Sequence, residues 1–557
     1  MFTSRMPTLL LGLGTAFVLV VQATAQTTQA SMPGGYTIAG TIVSKTDGHP
    51  LAQARVTVQD VKDSKKFQSL VTAEDGKFKF SGLPAAKYSL NGAKRGFISA
   101  AYDQHDFFWT AIVTGSAFDT ESLVLRLAPA AVITGKILDE TGDPIRRAMV
   151  AIYIDDHTTG VDQIHRFRVA QTDDQGAYEI TPLMPGTYFL SASAQPWYAV
   201  HPSSEGDAVL GVAKPETSTS TPSTVDRSLD VAYPTTYYPD VTDADSATPI
   251  PIRGGERIDV DIHLNPVPAL RLIFRVPANG NNGYVFPQIQ QPAFDGDTSV
   301  QPGSSRMISP GVLEMSGIPA GRYNLLFNGA GATTEMNGVD LNRDGEVIET
   351  SGSEAMSTVK VSAQVPAEAT IPAHLAIGLR SGHRMLANWK NLDDKGEAQI
   401  DRIPPGKYEV LVWGPPKPYT ITQMSAEGAA VSGHALTVTA GSSPSLSLTL
   451  VGGSYEIDGF AKRAGKPVAG VMVFLVPKNI ETDRDFRRDQ SDLDGSFTLR
   501  NIVPGSYTLL AIENGWDLDW SKPDVISAYL SRGHKIEVGS AGSHSVMVAE
   551  DVEVLSK

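Results

Sequence analysis

The 557-residue chain contains no cysteine. This absence excludes disulfide bonds, thiolate metal sites, cysteine nucleophiles and a lipoprotein-type cysteine anchor. Large exported domains do not need disulfides, so the absence is compatible with a location outside the cytoplasm. A chain of this length is also too long for one hydrophobic core, and several domains are therefore expected.

Basic residues are scarce relative to acidic ones, with 46 Lys and Arg against 61 Asp and Glu, and the formal net charge is −15. The basic residues cluster no further than pairs such as Arg146–Arg147 and Arg487–Arg488. Proteins that bind nucleic acid need clustered Lys and Arg to meet the phosphates, so we predict no nucleic-acid partner.

Long hydrophobic runs are confined to the N-terminus. The apolar stretch Leu9–Val21 follows Arg5 and precedes the small-x-small site Ala23-Thr24-Ala25. This order is typical of a secretory signal peptide over residues 1–25, and an uncleaved signal anchor is the alternative. We therefore predict an exported protein, periplasmic or extracellular, with no membrane span in the mature chain and a flexible leader over residues 26–35.

A glycine and a tyrosine recur five times with a separation of 12 residues each time. The pairs are Gly76–Tyr88, Gly176–Tyr188, Gly311–Tyr323, Gly396–Tyr408 and Gly495–Tyr507. A Pro/Gly corner such as Val503-Pro504-Gly505 stands just before each tyrosine, between two runs in which apolar and polar residues alternate. The repeated strand–corner–strand pattern predicts an all-β chain of tandem antiparallel β-sandwiches, with each tyrosine in a structural tyrosine corner.

Three copies carry a further strand, turn and strand upstream, with the turn sequence G-x-P in Gly48-His49-Pro50, Gly142-Asp143-Pro144 and Gly465-Lys466-Pro467. The complete pattern resembles the carboxypeptidase regulatory-like domain over roughly 36–95, 130–195 and 452–515, and in part over 266–330 and 368–415. That resemblance implies a transthyretin-like or Cna-B-like β-sandwich in an exported bacterial protein. It implies no catalysis, because in the carboxypeptidases this domain is an appendage to the enzyme.

We divide the mature chain into five sandwich units that follow one another like beads. The boundaries are 36–129, 130–265, 266–366, 367–450 and 451–557, and the third and fourth units are divergent because they lack the G-x-P turn. A Ser/Thr/Pro-rich insertion at 203–229 interrupts the second unit and is expected to be an exposed loop.

Catalytic and metal motifs are weak. The pair His534 and Glu537 lies on an alternating strand and lacks the third histidine of a zinc peptidase. Asp340 to Gly345 fits the start of a calcium loop, but Ser351 stands where a bidentate Glu is needed, and a hairpin turn explains the same letters. We predict no metal, no cofactor and no enzymatic activity, although two close, desolvated carboxylates in a cleft would favour a hydrolase.

Aromatic residues follow the repeated strands in segments expected to be loops. We name five of them as candidate carbohydrate-binding residues, namely Trp109, Trp197, Tyr198, Trp516 and Trp520. Sugars stack on exposed aromatic faces with acids nearby, whereas rings buried in seams between units would indicate a structural spacer with protein partners. The function predicted from the sequence is binding or scaffolding at the cell envelope, with polysaccharide or envelope proteins as the partners.

Overall fold

A computed structural model describes residues 35–557 with interruptions. The residues outside the description within this range are 116–117, 159, 203–225, 277, 280–282, 285, 330–331, 350–356, 367–369, 382–383, 386–388, 404, 415–418, 454, 479–485, 540–544 and 548–550. The predicted signal peptide, nearly all of the leader and most of the Ser/Thr/Pro-rich insertion lie outside the described residues. In the part that is described, no helix is long and apolar enough to cross a membrane.

The structure is built from β-sheets stacked into sandwiches, which confirms the predicted fold class. Unit 1 comprises β1 Tyr36–Ser44, β2 Arg55–Asp60, β3 Phe67–Val71, β4 Lys77–Leu83, β5 Lys87–Ala93, β6 Ala100–Ala101, β7 Ile112–Val113 and β8 Leu123–Leu127. Unit 2 comprises β9 Ala131–Leu138, β10 Met149–Asp156, β11 Gln163–Gln171, β12 Ala177–Leu183, β13 Gly186–Ser193, β14 Val231–Ala232, β15 Thr236–Tyr237, β16 Ile250–Ile252, β17 Arg257–Asp259 and β18 Ile262–His263.

The remaining units contain longer runs of paired strands. Unit 3 comprises β19 Val267–Arg275, β20 Ala278–Asn279, β21 Gly283–Tyr284, β22 Phe286–Ala293, β23 Gly296–Val300, β24 Ser304–Ser309, β25 Val312–Pro319, β26 Gly321–Gly329, β27 Ala332–Leu341 and β28 Glu346–Glu349. Unit 4 comprises β29 Ser357–Gln364, β30 Ala376–Ser381, β31 Arg384–Met385, β32 Lys390–Asn391, β33 Glu397–Ile403, β34 Gly406–Trp413, β35 Tyr419–Glu427, β36 Ala430–Ser432, β37 Ala435–Val438 and β38 Ser445–Gly452. Unit 5 comprises β39 Tyr455–Arg463, β40 Lys466–Pro467, β41 Met472–Pro477, β42 Arg487–Gln490, β43 Ser496–Ile502, β44 Gly505–Ile512, helix α1 Pro523–Leu530, β45 His534–Val538, β46 Ser545–Met547 and β47 Val552–Leu555.

One pairing rule holds in every unit. The first strand pairs antiparallel with the strand that follows the repeated glycine, and parallel with a strand at the end of the unit. In unit 1, β1 pairs in this way with β4 and β8. The corresponding sets are β9 with β12 and β17, β19 with β25 and β28, β29 with β33 and β38, and β39 with β43 and β46.

The pairing of strands changes the boundary between units 3 and 4 and joins the sheets of units 2 and 3. Strand β29, placed at the end of unit 3 by the boundary at 366, is the first strand of unit 4, because it pairs with β33 and β38. We therefore place the boundary between units 3 and 4 before Ser357. Strand β14 lies in the sequence of unit 2 but pairs with β19 of unit 3, so the sheets of these two units are joined.

The five repeated glycines share a left-handed backbone, with φ between +65° and +82°. Each also faces a main-chain carbonyl in, or directly after, the unit's first strand. A Cβ added to Gly396 would lie 2.1 Å from the Ala363 oxygen, and one added to Gly495 would lie 2.7 Å from the Ala461 oxygen. Glycine is required here both for its backbone conformation and for the close approach of the neighbouring strand.

The five repeated tyrosines are buried in the sandwich cores. Where the bond is described, the hydroxyl donates to the carbonyl four residues earlier, at the Pro/Gly corner. The acceptors are Pro84 for Tyr88, Met184 for Tyr188, Pro319 for Tyr323 and Val503 for Tyr507. The hydroxyl thus ties the corner to the strand that leaves it, as in a tyrosine corner.

A buried hydroxyl supports a second turn in units 1, 2 and 5. Thr72 donates to the Leu51 carbonyl at 2.6 Å and accepts from the Ala54 amide at 3.0 Å. Thr172 and Ser491 make the equivalent pairs of bonds. These hydroxyls stand four residues before the repeated glycine, a regularity that aligns the three units residue by residue.

Unit 5 has two apolar layers because both faces of β41 are buried. One face packs into the sandwich core through Val473 and Leu475. The other face, through Phe474, contacts a cover that includes Trp516, Trp520 and residues of α1. The uninterrupted apolar sequence of β41 is typical of a strand covered on both sides.

Candidate functional site

The units do not contact only their neighbours in sequence, because unit 5 packs against units 1 and 2. The segment before its repeated glycine hydrogen-bonds the loop after β6 of unit 1. Gln490 Nε2 donates to Thr110 Oγ1 at 2.8 Å and to the Asp103 carbonyl at 2.6 Å. Asp492 accepts the Ala111 amide at 2.9 Å. We call this contact the unit 1–5 seam.

Arg488 joins three units at this seam. Its guanidinium donates to Asp106 of unit 1 at 3.2 Å and to the Thr158 carbonyl of unit 2 at 2.9 Å. It also stands 4.2 Å from the centroid of the Trp520 ring, in cation–π geometry. The side chain is only 11% exposed, and burial lowers the pKa of Arg488 while Asp106 opposes that effect.

The structure divides the five aromatic candidates into buried and open residues. Trp516 and Trp520 are 8% and 6% exposed. Trp516 stacks on His105 with a centroid distance of 5.3 Å, and Trp520 contacts Phe474 at 5.5 Å. Neither ring offers a free face to a sugar, so the prediction that these two form a binding surface does not hold. Both instead fill the seams around unit 5.

The other three candidates face solvent in two separate places. Trp109 is 42% exposed at the unit 1–5 seam, and Trp197 is 88% exposed at the end of unit 2. Tyr198 is half-buried beside Trp197, and its hydroxyl bonds Glu140. The structure therefore does not bring the five residues together into one site.

A cleft of about 580 Å³ opens at the unit 1–5 seam beside Trp109. We call it the seam cleft. Its lining residues are Val61, Lys62, Lys87, Phe107, Phe108, Trp109, Ala111, Glu456, Asp458, Asp489, Asp492, Thr498 and Arg500. Unit 1 contributes aromatic rings to this lining, and unit 5 contributes carboxylates. Ring faces beside hydrogen-bonding groups are the combination that binds hydroxylated ligands.

The carboxylates of the cleft are partly desolvated. Burial raises the pKa of Asp489 to about 6, although the Thr498 amide, which donates to it at 2.7 Å, acts in the opposite direction. Burial also raises the pKa of Asp492, and the Lys87 ammonium opposes the rise from 2.6 Å away. Asp492 thus forms an ion pair with Lys87, whereas burial disfavours the charged form of Asp489 without a cation paired to it in the described part of the chain.

Asp489 should make the stability of unit 5 depend on pH. Its pKa rises from 3.8 to about 6 on folding, so the folded chain binds the proton more tightly than the unfolded chain. The free energy of unfolding should therefore fall by about 2 kcal/mol as pH rises from 4 to 7. Asp489→Asn should remove this slope in urea titrations at several pH values, whereas the exposed-site control Asp517→Asn should keep it. An unchanged slope in Asp489→Asn would contradict the assignment.

The sequence motifs do not single out Asp489, but a comparison of the repeated units shows that an acid is unusual at its position. Aligned on the buried hydroxyls, Asp489 corresponds to Leu70 of unit 1 and Ala170 of unit 2. These residues oppose Val473, Val56 and Val150 in their respective strand pairs. Leu70 and Ala170 pack on the cores of their units, so unit 5 carries an acid where the repeat is apolar.

The contact between units 2 and 5 includes a cluster of three residues that could hold a metal ion, His157, Asp162 and Asp519. His157 Nδ1 lies 2.7 Å from Asp162, and its Nε2 lies 2.8 Å from the Leu518 carbonyl. Burial lowers the pKa of His157, but these two hydrogen bonds outweigh it and raise the pKa overall. Both ring nitrogens are therefore engaged by protein acceptors, and Asp519 is paired with Lys522.

The two motifs considered for metal binding in the sequence lie on ordinary structural elements. His534 and Glu537 lie on β45, which pairs with β44. Asp344 accepts hydrogen bonds from the Arg271 amide and guanidinium. The turn at Asp344-Gly345 connects β27 and β28, which lie in different sheets, so it is a crossover and not the hairpin we expected.

Comparison with known proteins gives matches to several solved structures and to one family model. The chain is similar to the TIE protein of Bacillus anthracis, at 11% identity over 75% of this chain and 74% of that one, with a TM-score of 0.18. It is also similar to GBS52, the minor pilin of Streptococcus agalactiae, at 14% identity over 42% of this chain and 97% of that one, with a TM-score of 0.20. The shaft pilin SpaA of Lactobacillus rhamnosus GG matches at 10% identity over 42% and 98%, with a TM-score of 0.19.

No curated protein matches the chain. The model of the carboxypeptidase regulatory-like domain matches residues 37–122. This match confirms, for unit 1, the resemblance to the carboxypeptidase regulatory-like domain that the sequence pattern indicates.

Proposed function

We propose that this protein is an exported, non-catalytic scaffold of the cell envelope that binds polysaccharide in the seam cleft. The observation that carries the proposal is the pair of open rings, Trp109 and Phe107, in one cleft with the carboxylates of unit 5. Phe107 is 77% exposed. A large apolar ring in water gains nothing for the fold, whereas a pyranose ring stacked on it buries both surfaces.

The carboxylates of the seam cleft support the same function. Asp489 occupies a position that units 1 and 2 fill with an apolar residue, and its charge is disfavoured there by burial. An acid at a position that is apolar in units 1 and 2, in a cleft with aromatic rings, is a candidate for ligand contact. Carboxylate oxygens accept hydrogen bonds from sugar hydroxyls, and the nearby Lys62 and Arg500 can donate to others.

Isothermal titration of the mature chain, from Gln26 onward, with a panel of soluble neutral polysaccharides tests this proposal. We expect saturable binding by the wild type and at least tenfold weaker binding by Trp109→Ala, since a stacked ring contributes about 1.4 kcal/mol or more. Trp197→Ala is the matched control, because it removes an exposed indole that does not line the seam cleft. It should leave the affinity unchanged.

Two outcomes would contradict the proposal. No binding across the panel, with the protein folded, would leave a structural or adhesive spacer with protein partners. That alternative is favoured by Trp516 and Trp520, which are used as seam fillers. Equal losses in Trp109→Ala and Trp197→Ala would place the ligand elsewhere.

A hydrolase is the alternative from a different class, and the carboxyl pair Asp489 and Asp492 is what favours it. The assay is release of reducing ends from each polysaccharide that binds. The non-catalytic proposal expects none. Release that is abolished in Asp489→Asn, while binding persists, would replace scaffolding by glycoside hydrolysis.

A further inference from the structure

A second cavity lies between units 2 and 3, far along the sequence from the residues of the seam cleft. Its volume is about 350 Å³, within the range of small-ligand sites. The two walls are tied together by a hydrogen bond of 2.7 Å from Gln195 Nε2 to the Gln301 carbonyl. The joined sheets of the two units hold the same walls in place.

The charge of this cavity is opposite to that of the chain. Arg146 and Arg147 line it, and among the described lining residues there is no carboxylate. Neither arginine forms an ion pair with a carboxylate in the described parts of the chain, and both side chains are exposed. In a protein with a net charge of −15, two unneutralised guanidinium groups at one cavity form a local site for an anion.

The internal repeat shows that the fold does not need these arginines. The same turn is built from Ala52-Gln53 in unit 1 and from Ala469-Gly470 in unit 5. In each turn the second residue has a left-handed φ, of 52°, 60° and 74° in units 1, 2 and 5. Its amide donates to the residue that bears the buried hydroxyl in every case.

Arg147 therefore stands where the backbone favours glycine, and unit 5 has glycine at that position. A bulky residue in the left-handed region costs about 1 kcal/mol. Arg146 likewise replaces an alanine. Unit 2 thus differs from its sister turns by two cations that form no ion pair within the described parts of the chain, which indicates a role in binding.

The other lining residues indicate which polar groups the ligand carries besides its anionic group. It is rich in side-chain amides and hydroxyls, including Gln171, Gln291, Ser193 and Ser299. Amides both donate and accept, as sugar hydroxyls do. A guanidinium fork matches a carboxylate with two parallel hydrogen bonds.

We propose that this cavity binds an acidic saccharide, a sugar unit bearing a carboxylate, through Arg146 and Arg147. This site goes beyond the proposed function, because it does not involve the seam cleft.

Titration calorimetry of the full mature chain with trigalacturonate, maltotriose and inorganic phosphate tests the proposal. We expect trigalacturonate to bind and maltotriose to bind at least tenfold more weakly. The variant Arg146→Ala/Arg147→Gln recreates the turn of unit 1 and should weaken trigalacturonate binding at least tenfold at unchanged melting temperature. Arg146→Ala/Arg147→Gly recreates the turn of unit 5 and provides a second folded variant.

The control Arg95→Gln/Arg166→Gln removes the same charge from exposed positions that do not line the cavity, and it should bind as the wild type does. Equal binding of trigalacturonate and maltotriose, equal losses in the control, or no binding would each overturn the proposal. Phosphate that binds as tightly as trigalacturonate would replace the saccharide by a simple anion and also overturn it. Trp109→Ala should leave trigalacturonate binding intact, so failure here is distinguishable from failure at the seam cleft.

Discussion

Replacing Arg488 with methionine is expected to release unit 5 from units 1 and 2. The substitution keeps an unbranched apolar stem but removes the charge that meets Asp106 and the Thr158 carbonyl. Asp106 would then be left without its cation at a site that is mostly covered. Because a half-broken, buried ion pair costs several kcal/mol, we expect a loss of about 3 kcal/mol in the unfolding of the docked state.

Urea unfolding followed by tryptophan fluorescence measures this loss, since Trp516 and Trp520 lie in the seam. Small-angle scattering should show a larger radius of gyration for Arg488→Met in the absence of denaturant. The control is Arg463→Met, because Arg463 pairs with Glu513 at the surface of the same unit. Equal midpoints for the two variants would show that Arg488 does not fasten the units together.

Replacing Gly495 with alanine is expected to destabilise unit 5 by about 3 kcal/mol. The backbone at this residue has φ of +78°, which costs a residue with a Cβ about 1 kcal/mol. The added Cβ would also lie 2.7 Å from the Ala461 carbonyl and 3.0 Å from Pro467 Cβ. Strands of the sandwich must therefore shift to admit one methyl group, which is a large effect for so small a change.

Gly465 provides the matched control, because it lies in the same unit with φ of +75° and an added Cβ would meet no atom within 4 Å. Gly465→Ala should therefore show the conformational cost alone, about 1 kcal/mol. The difference between the two variants in thermal or chemical unfolding isolates the collision with Ala461. If the two variants are equally stable, the close approach of the strands is not the reason why position 495 requires glycine.

The local parts of the fold could be predicted because their causes are local. A left-handed turn requires glycine, and a tyrosine corner requires a tyrosine at one place relative to a Pro/Gly corner. Gly495 and Tyr507 therefore predict the strands that lie between and beside them, independently of the rest of the chain. The boundary before Ser357 could not be placed in the same way, because pairing of β29 with β38 joins residues that are distant in sequence.

The docking of one unit on another could not be predicted from the sequence, since it depends on contacts between residues that are distant in the chain. The contact of Thr110 with Gln490 joins residues 380 positions apart, and no local pattern encodes it. The local sequence therefore predicts open loop residues at Trp516 and Trp520, whereas the structure buries both. The continuous apolar sequence of β41 is the signal that both faces of the strand are covered, and such a strand needs a cover of its own.

The parallel pairing of the first and last strands has a mechanical consequence. In unit 1, the N-terminal end of β1 and the C-terminal end of β8 lie at opposite ends of one hydrogen-bonded pair. Tension applied through the two ends of the unit therefore loads those bonds in shear, so that several must break together and not one after another. A tether made of units with this topology resists stretching, since forced extension is limited by the rate of unfolding and not by equilibrium stability.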